Sequence, residues 1–391
     1  MKIAHFTTDE KFLDGAHFLF ESVAPYSNDF FLIPTLREYV TPGKKRLKYI
    51  KTFKPIVCGY FSYLDSSFLK KIKTYDFVIL HSLREFNQEI AVRLSGYLPI
   101  VWIGWGSDYY DLLFDNQNDM LEPITLQYFG SHDKSSTCFK YLIRKTKELF
   151  HQKIKNKIDV VKKIDYFSPV LQIEYERILK KYPDLLCKYI PWNYYILGSS
   201  SIDKRMISNG KNILVGNSAA VTNNHLDVFS ILSKLDLGEK ERKIICPLSY
   251  GTDVCRRIVS DKGYQYFGDS FCSIIDFLDY KDYIKLLSGC SHVVMHQNRQ
   301  QAGGNIKTAL YIGCRVIINP NNAFYERYKD LGCIINTIDE LKNEPLLIQK
   351  SLNSEEKEIN RDIIEKTMDI SEGIEKTKNL INVVLCGKNS S

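Results

Sequence analysis

The sequence predicts an α/β protein made of two facing, doubly wound, Rossmann-like domains. Short apolar runs alternate with amphipathic helical patterns in both halves of the chain, and this alternation is typical of a parallel sheet covered on both faces. A polar segment rich in Ser and Gly, residues 197–211, separates the halves. The length of 391 residues suggests two or three domains. We expect a ligand cleft between them.

The first half supplies one domain, residues 1–200. Its strands are predicted at Lys2–Phe6, Asp29–Ile33, Pro55–Gly59, Phe77–Leu80, Pro99–Gly104 and Asp165–Val170. Helical spacing is clearest at Arg84–Ser95, and further helices are predicted at 135–163 and Gln172–Lys180.

The alternation restarts after a linker, which we place at residues 201–211. Strands are predicted at Asn212–Gly216, Arg242–Pro247, His292–His296, Arg315–Asn319 and Cys333–Asn336, and helices at Asn224–Leu235, Asp253–Lys262, Tyr280–Ser288 and Ile306–Ile312. These elements form a second domain, residues 212–352. A charged terminal segment, residues 353–391, is expected to be helical and to pack back on the N-terminal domain.

The composition is ordinary for a soluble globular protein, and we expect a cytoplasmic chain. The formal charge is +7, too weak an excess to indicate a nucleic-acid partner by itself. No run reaches the roughly 18–20 apolar residues of a membrane span, and charges in the first ten residues argue against a signal peptide. The 10 cysteines are scattered without a C-x-x-C pair. We therefore expect reduced core thiols and no zinc site.

Polar and glycine residues follow the buried strands of the second domain, where ligands bind in open α/β sheets. Gly303 and Gly304 permit a close anion, the helix after them offers free N–H groups, and Arg299 can add a charge-assisted contact. We predict a site for the diphosphate of a nucleotide-sugar, formed by Gly216, Asn217, Ser218, Tyr250, His296, Arg299, Gln300, Gln301, Gly303, Gly304 and Asn305. The structural alternatives are a helix cap at Ser218 and a plain turn at Gly303–Gly304.

Several common ligand motifs are missing from the sequence. There is no Walker A sequence, no G-x-G-x-x-G after a strand and no Asp-x-Asp pair. Sugar transferases that hold the diphosphate through a divalent metal commonly use such an acidic pair. The absence of an Asp-x-Asp pair favours a diphosphate held by hydrogen-bond donors of the protein rather than by a metal cofactor.

Acidic residues and a histidine in the first half are candidates for a general base. Asp108 ends a buried strand in the segment Trp102-Ile-Gly-Trp-Gly-Ser-Asp108, and the loop after the first strand offers Asp9, Asp14 and His17. A carboxylate or imidazole at such a strand end can accept a proton from a substrate. A capping or turn role for Asp108 is the structural alternative.

Residues 134–163 are rich in Lys and Arg, with apolar side chains interleaved. A basic amphipathic helix is typical of proteins that bind an anionic membrane surface. The alternatives are a solvated helix face and RNA binding, although no RNA-binding module is recognisable.

Spaced motifs in the second half resemble bacterial glycosyltransferase family 56, the family of TDP-N-acetylfucosamine:lipid II N-acetylfucosaminyltransferase. The motifs are Ile213-Leu-Val-Gly-Asn-Ser218, Asn223-Asn-His225, Pro247-Leu-Ser-Tyr250, Phe277-Leu-Asp-Tyr-Lys-Asp-Tyr283, and Arg299-Gln-Gln301 with Gly304. In the first half, Trp105-Gly-Ser-Asp108 resembles the family's Trp-Gly-x-Asp. The resemblance implies a GT-B fold, a dTDP-amino-deoxysugar donor and a polyprenyl-diphosphate-linked acceptor at the cytoplasmic face of the inner membrane.

Our hypothesis is a metal-independent glycosyltransferase that moves a 4-acetamido-4,6-dideoxyhexose such as Fuc4NAc in O-antigen or other surface-polysaccharide synthesis. Its partners would be a dTDP-sugar, a lipid-linked saccharide and the inner membrane, contacted through residues 134–163, with no nucleic acid. The protein would be cytoplasmic and peripheral on that membrane. The alternatives are a nucleotide-sugar epimerase of the same fold and a non-enzymatic membrane- or RNA-binding protein.

Overall fold

The structure, a computed structural model, describes residues 1–34, 47–130, 156–194, 206–238 and 241–388. The chain divides into two compact units. Unit 1 comprises the described residues of Met1–Leu113, Thr137–Ser201 and Asp369–Ser391. Unit 2 comprises those of Phe114–Ser136 and Ile202–Met368.

Each unit contains one parallel sheet. The strands are β1 Ile3–Thr7, β2 Asn28–Leu32, β3 Ile56–Val57, β4 Phe77–His81, β5 Ile100–Ile103, β6 Tyr166–Ser168, β7 Lys188–Tyr189, β8 Asn212–Val215, β9 Ile244–Pro247, β10 Phe271–Ile274, β11 Cys290–Met295, β12 Arg315–Ile318 and β13 Asn336–Thr337. Their order is β3-β2-β1-β4-β5-β6-β7 in unit 1 and β10-β9-β8-β11-β12-β13 in unit 2. Both orders reverse beside the first strand, at β1/β4 and β8/β11, and such switch points are where doubly wound folds bind ligands.

Helices connect the strands. They are α1 Leu13–Val23, α2 Ser66–Ile72, α3 Glu85–Leu94, α4 Tyr110–Leu113, α5 Pro123–Phe129, α6 Lys157–Val161, α7 Gln172–Lys181, α8 His225–Leu232, α9 Asp253–Phe267, α10 Tyr280–Ser288, α11 Gly303–Ile312, α12 Ala323–Asp330, α13 Ile338–Asn343, α14 Ser354–Lys366 and α15 Ile370–Lys388. Short 3-10 turns lie at Ser62–Leu64, Gln117–Met120, Val221–Asn223, Gly268–Ser270 and Pro345–Ile348.

Apolar strand residues form the core of each unit. In unit 1, Phe77 and Val101 of the sheet pack with Leu19 of α1 and Leu380 of α15. In unit 2, residues of β8, β9 and β11 pack with Phe229 of α8. Burying a large apolar side chain contributes about 1.5–3 kcal/mol, so these layers fix the strand ends that carry polar residues.

The predicted elements correspond to most of the observed ones, with specific differences. The short strands β7 and β10 were not predicted, and β13 lies at Asn336–Thr337 rather than Cys333–Asn336. The helix predicted at Ile306 begins three residues earlier, at Gly303. Most of the helix predicted at 135–163 lies outside the described residues, and its described end is the short α6.

The units divide the chain differently from the predicted domains. Residues 114–130, here called the strap, belong to unit 2, because α5 packs on α8 and its first turn is bonded to Asp227. The described linker residues 206–211 are hydrogen-bonded within unit 2, as by Ser208 N to Ile312 O. The terminal segment is split, since α14 packs on α11 in unit 2 and α15 packs on α1 in unit 1.

Candidate functional site

The loops after β8 and β9 are locked together at the carboxyl edge of the unit 2 sheet. Ala219 N donates to Tyr250 O, and Thr252 N donates to Ala219 O. Gly251 has a φ of +114°, and a Cβ there would lie 2.1 Å from Ala219 O. Only glycine fits this close approach, so the residue type holds the two loops in register.

An amide network joins the β8 loop to the loop after β11. Gln301 Nε2 donates to Asn217 Oδ1 at 3.1 Å, and Thr222 Oγ1 donates to Gln301 Oε1 at 2.8 Å. Gln297 Nε2 donates to Asn223 Oδ1 at 2.7 Å. Asn217 is bonded through its oxygen, so its NH₂ group is directed away from these partners. A part-exposed amide donor therefore stands at the switch point of the sheet.

Helix α11 begins beside this network. Ala302 has a left-handed φ of 62° and caps the helix without a side-chain hydrogen bond. The N–H groups of Gly303, Gly304 and Asn305 have no acceptor among the residues that the structure describes. These are the orphan donors of a helix N-terminus, which favour an anion.

The two glycines of α11 have different reasons to be glycine. A Cβ at Gly303 would lie 2.3 Å from Cζ of Phe324, so this position is set by packing. Nothing lies within 4 Å of a Cβ at Gly304, which is exposed. The surface beside Gly304 is therefore open, and an anion there stays a prediction. The interpretation as a plain turn is wrong, because both residues are helical.

The remaining predicted donor residues are placed unequally. Arg299 and Gln300 are part-buried in the β11–α11 loop. Asn305 donates from Nδ2 to the Tyr283 hydroxyl at 2.7 Å, which directs its side chain toward α10. Gly216 is buried with a φ of +68°, and Ser218 is buried and accepts from Asn223 Nδ2. Gly216 and Ser218 are therefore buried residues that stabilise the conformation of the loop.

An exposed aromatic pair lies beyond β9 and β10. The rings of Tyr250 and Phe277 meet edge to face with centroids 5.8 Å apart, and their exposures are 50% and 67%. Tyr250 was predicted to line a nucleoside pocket, whereas Phe277 was not singled out.

His296 is covered by the strap rather than open to a ligand. Its Nδ1 lies 3.1 Å from Asn319 Nδ2, and Glu122 of the strap accepts from Asn298 and Asn319. His296 is 4% exposed, and burial lowers its pKa to about 4. The geometry does not support the predicted direct contact of His296 with a ligand. Neither Glu122 nor its partners were singled out from the sequence.

In unit 1, Asp108 joins the loops after β4 and β5. Its carboxylate accepts from Leu83 N at 2.8 Å, Trp102 Nε1 at 3.0 Å and Trp105 N at 2.7 Å. The residue is 7% exposed. Burial raises its pKa, while these hydrogen bonds act in the opposite direction. Three donors and deep burial give Asp108 a structural role, and the geometry does not support its use as a base.

The other predicted bases also have structural partners. Asp9 accepts from the N–H groups of Lys48, Tyr49 and Ile50. Asp14 accepts from Lys51 N and from Thr52 through both N–H and hydroxyl groups, so each aspartate fixes the chain at 48–52. His17 stacks on Phe53 at 4.2 Å, and burial lowers its pKa.

The described ranges contain no cluster of three or more His, Cys, Asp or Glu arranged to hold a metal ion. None of their helices combines the length and apolar character needed to cross a bilayer.

Comparison with known proteins decides the family. The profile described as "4-alpha-L-fucosyltransferase glycosyl transferase group 56" matches residues 157–357, more than half of the chain. The chain belongs to this family. No curated protein matches the sequence of this group 56 glycosyltransferase. Membership selects glycosyl transfer over the epimerase and the non-enzymatic alternatives, and confirms the resemblance drawn from the motifs.

Solved structures show that the group 56 glycosyltransferase has the GT-B fold. Anabaena HepE in complex with UDP-glucose is 12% identical, covers 98% of this chain and 100% of its own, and has a TM-score of 0.59. A glycosyltransferase from Rickettsia africae is 12% identical, with 98% of each chain covered and a TM-score of 0.59. Sucrose-phosphate synthase from Thermosynechococcus elongatus is 9% identical, with 99% and 100% covered and a TM-score of 0.58. The cleft between domains stays a prediction.

The structure thus brings together part of the predicted donor set of this glycosyltransferase. Asn217, Gln301 and the first turn of α11 form one edge, here called the amide edge, and Tyr250 lies on a loop bonded to it. The sequence contains a signal for each of two missed residues: Gln297 lies two residues after the end of β11, and Phe277 lies in the motif that resembles family 56.

Proposed function

We propose that the protein takes its sugar from a nucleotide-sugar whose diphosphate binds at the amide edge. One observation supports this proposal: Gln301, which lies two residues before α11 with its orphan N–H groups, donates to Asn217 Oδ1 and so leaves the Asn217 NH₂ group out of that bond. Neutral donors of this kind stabilise phosphate oxygens and the charge that grows when the diphosphate leaves. Arg299, in the loop before α11, would add positive charge.

The nucleobase would stack on Tyr250 and Phe277. Both rings are exposed, and the Tyr250 loop is bonded to the loop that carries Asn217. Any pyrimidine or purine has an apolar face that an aromatic ring can cover. HepE is a relative in fold that was solved with UDP-glucose, which supports a nucleotide-sugar in a site of this type.

The finer assignment is a dTDP-activated 4-acetamido-4,6-dideoxyhexose and a polyprenyl-diphosphate-linked saccharide acceptor in surface-polysaccharide synthesis. The family description, a fucosyltransferase, supports a 6-deoxyhexose. The Lys-rich residues 134–163 support a peripheral position on the cytoplasmic face of the inner membrane, although most of them lie outside the described residues.

The test is calorimetric titration of UDP, dTDP, UDP-glucose and a dTDP-deoxyhexose, each with and without EDTA. We expect a dTDP ligand to bind most tightly, with the same affinity when divalent metal is removed. A donor that binds only with metal would contradict the proposed use of protein donors. Failure of all four nucleotides to bind would contradict the donor site itself.

Transfer is then measured with a short-chain polyprenyl-diphosphate disaccharide as acceptor. Release of nucleoside diphosphate that depends on the acceptor, together with a glycosylated lipid product, is the expected result. Equal transfer to a water-soluble disaccharide that lacks the lipid would contradict the lipid-linked acceptor.

A further inference from the structure

Three neighbouring strands of the unit 1 sheet bring Glu10, Arg84 and Trp105 together. The residues follow β1, β4 and β5, which are adjacent in the sheet. Arg84 Nη2 lies 3.7 Å from Glu10 Oε1, and the Arg84 guanidinium lies 5.3 Å from the centre of the Trp105 ring. This trio occupies the carboxyl edge beside the β1/β4 switch point, where doubly wound domains bind ligands.

Glu10 differs from the other acids of this edge because its carboxylate receives no hydrogen bond from the residues that the structure describes. Asp9, Asp14 and Asp108 each accept from backbone N–H groups that they hold in place. The carboxylate lone pairs of these three aspartates are therefore occupied. Protonation of an aspartate would break the hydrogen bonds that hold its loop. Within the described part of the chain, the Glu10 carboxylate has an ion-pair distance to Arg84 and no hydrogen-bond donor, and 29% of its side chain is exposed. This partly exposed carboxylate can accept a substrate hydroxyl.

The surroundings of Glu10 make it a stronger proton acceptor than a solvated glutamate. Burial raises the pKa of its carboxyl group. Three cations act in the opposite direction: Arg84 just before α3, Lys11 of the same loop and Lys48. Asp9 reinforces the rise. The net direction is upward, toward the range in which carboxylates serve as general bases.

Buried hydrogen bonds fix the ring under Arg84. Trp105 Nε1 donates to the Tyr194 hydroxyl at 2.7 Å, and that oxygen lies 2.7 Å from His81 Nδ1. His81 Nε2 lies 3.1 Å from His5 Nδ1, and His5 Nε2 lies 3.2 Å from Asn28 Oδ1.

One set of tautomers satisfies this whole chain. Because Asn28 Oδ1 can only accept, His5 carries its proton on Nε2 and accepts at Nδ1 from His81 Nε2–H. Nδ1 of His81 then accepts the Tyr194 hydroxyl proton, and Tyr194 accepts from Trp105 Nε1–H. Burial lowers the pKa of His5 and His81, which keeps both rings neutral. Trp105 is therefore held rigidly, and with it the guanidinium stacked on it.

We propose that Glu10 is the general base of the transfer and that Arg84 and Trp105 are its positioning residues. This rests on the proposed nucleotide-sugar reaction. The acceptor hydroxyl oxygen bonds to the anomeric carbon, and its proton passes to a Glu10 carboxylate oxygen. The bond from the anomeric carbon to the diphosphate oxygen breaks, and its electron pair leaves with the nucleoside diphosphate.

The test is Glu10→Gln, which removes the base and preserves shape. With the tightest-binding donor of the titrations and the short-chain polyprenyl-diphosphate disaccharide, kcat should fall about 10²–10⁴-fold, while the donor Kd stays within about twofold. Donor hydrolysis by water, followed in parallel, should fall as well. Glu176→Gln, on the exposed face of α7, is the matched control and should leave kcat unchanged.

The pH profile separates a base from a structural residue. In the wild type, kcat/KM should fall as pH drops through the raised pKa of Glu10, and this acid limb should be absent in Glu10→Gln. Glu10→Asp should retain the limb with a kcat reduced about 10–100-fold, because the carboxylate is withdrawn by one methylene. It also provides the comparison if Glu10→Gln folds poorly.

The outcomes distinguish this proposal from the one on which it rests. Turnover within about threefold of wild type in Glu10→Gln, with normal donor binding, overturns the role of Glu10 and leaves the donor site intact. A wild-type protein that binds none of the nucleotides overturns both. An unchanged acid limb in Glu10→Gln, or turnover unaffected in Glu10→Asp, also contradicts Glu10 as the base.

Discussion

Gln301 Nε2 donates to Asn217 Oδ1 at 3.1 Å, and this bond links the loops that follow β11 and β8. The two strands are neighbours in the unit 2 sheet, so the bond spans the switch point. Because Asn217 accepts through its oxygen, its NH₂ is left to donate outward. The Gln301 amide therefore orients the Asn217 amide, whose NH₂ group is the donor that we expect to meet a ligand.

Gln301→Ala should therefore weaken nucleotide binding although Gln301 need not touch the ligand. Asn217 would lose the contact that orients it, and a hydrogen bond to a charged group contributes about 1.5–3 kcal/mol. We expect the dTDP Kd to rise about 10–100-fold by calorimetry. Gln265→Ala on the exposed face of α9 is the control. A Kd within twofold of wild type would show that the bond does not organise the site.

Phe277→Ala should weaken binding of the nucleoside part. A stacked base contributes about 1–3 kcal/mol, so the Kd for dTDP should rise about 5–100-fold. The affinity for inorganic diphosphate, which has no base, should stay the same. Leu346→Ala removes a similarly exposed apolar side chain of unit 2 and serves as control. An equal loss for dTDP and diphosphate would place Phe277 outside the base pocket.

The sequence predicts the fold well because both sheets consist of short, fully buried strands. Continuous apolar runs such as Phe77–Leu80 and Val293–Met295 can be recognised in the sequence alone. The missed strands β7 and β10 are short or part-exposed, so their apolar signal is weak. The strap could not be assigned to unit 2, because its attachment depends on single pairs such as Asp227 with Thr125.

The site is less predictable than the fold because residue type does not reveal which way a side chain turns. His296 and Asn217 both follow buried strands, yet His296 lies under the strap and Asn217 is part-exposed. Similarly, Asp108 and Glu10 are acids of one edge, but only Asp108 is saturated with N–H donors. Such differences arise from contacts between loops distant in sequence, which periodicity does not encode.

Gly216→Ala should destabilise unit 2. The φ of +68° disfavours a side chain, and the added Cβ would lie 2.5 Å from His225 Nε2. Left-handed strain and overpacking together cost about 2–4 kcal/mol, measured as a loss in the free energy of unfolding in urea. Gly332→Ala, also in unit 2, is the matched control, since its φ is +86° but the atom nearest the new Cβ is Ile363 Cδ1 at an ordinary 3.7 Å. The control should lower the free energy of unfolding by only about 1–2 kcal/mol. Equal losses in the two variants would mean that the His225 side chain moves aside without an energetic penalty.

Asp227→Ala should release the strap. The carboxylate accepts from Ile124 N at 2.8 Å, Thr125 N at 2.9 Å and Thr125 Oγ1 at 2.6 Å. Leaving these buried donors unsatisfied costs about 2–4 kcal/mol. Hydrogen exchange of residues 114–130 should accelerate selectively, whereas Asp261→Ala on the exposed face of α9 should change nothing. Uniform acceleration across unit 2 would indicate global destabilisation instead.

Acid should destabilise unit 2 through its buried histidines. Burial lowers the pKa of His225 and His292 to about 3 and that of His296 to about 4. The unfolded chain takes up these protons near pH 6.5 while the folded chain does not. The stability present above pH 6.5 is therefore lost as pH falls from 6.5 toward 4, by about 1 kcal/mol per pH unit for each histidine. Urea unfolding at pH 7, 6 and 5 measures the slope, and His296→Gln should reduce it by about that amount. An unchanged slope would mean that His296 is already protonated in the folded protein.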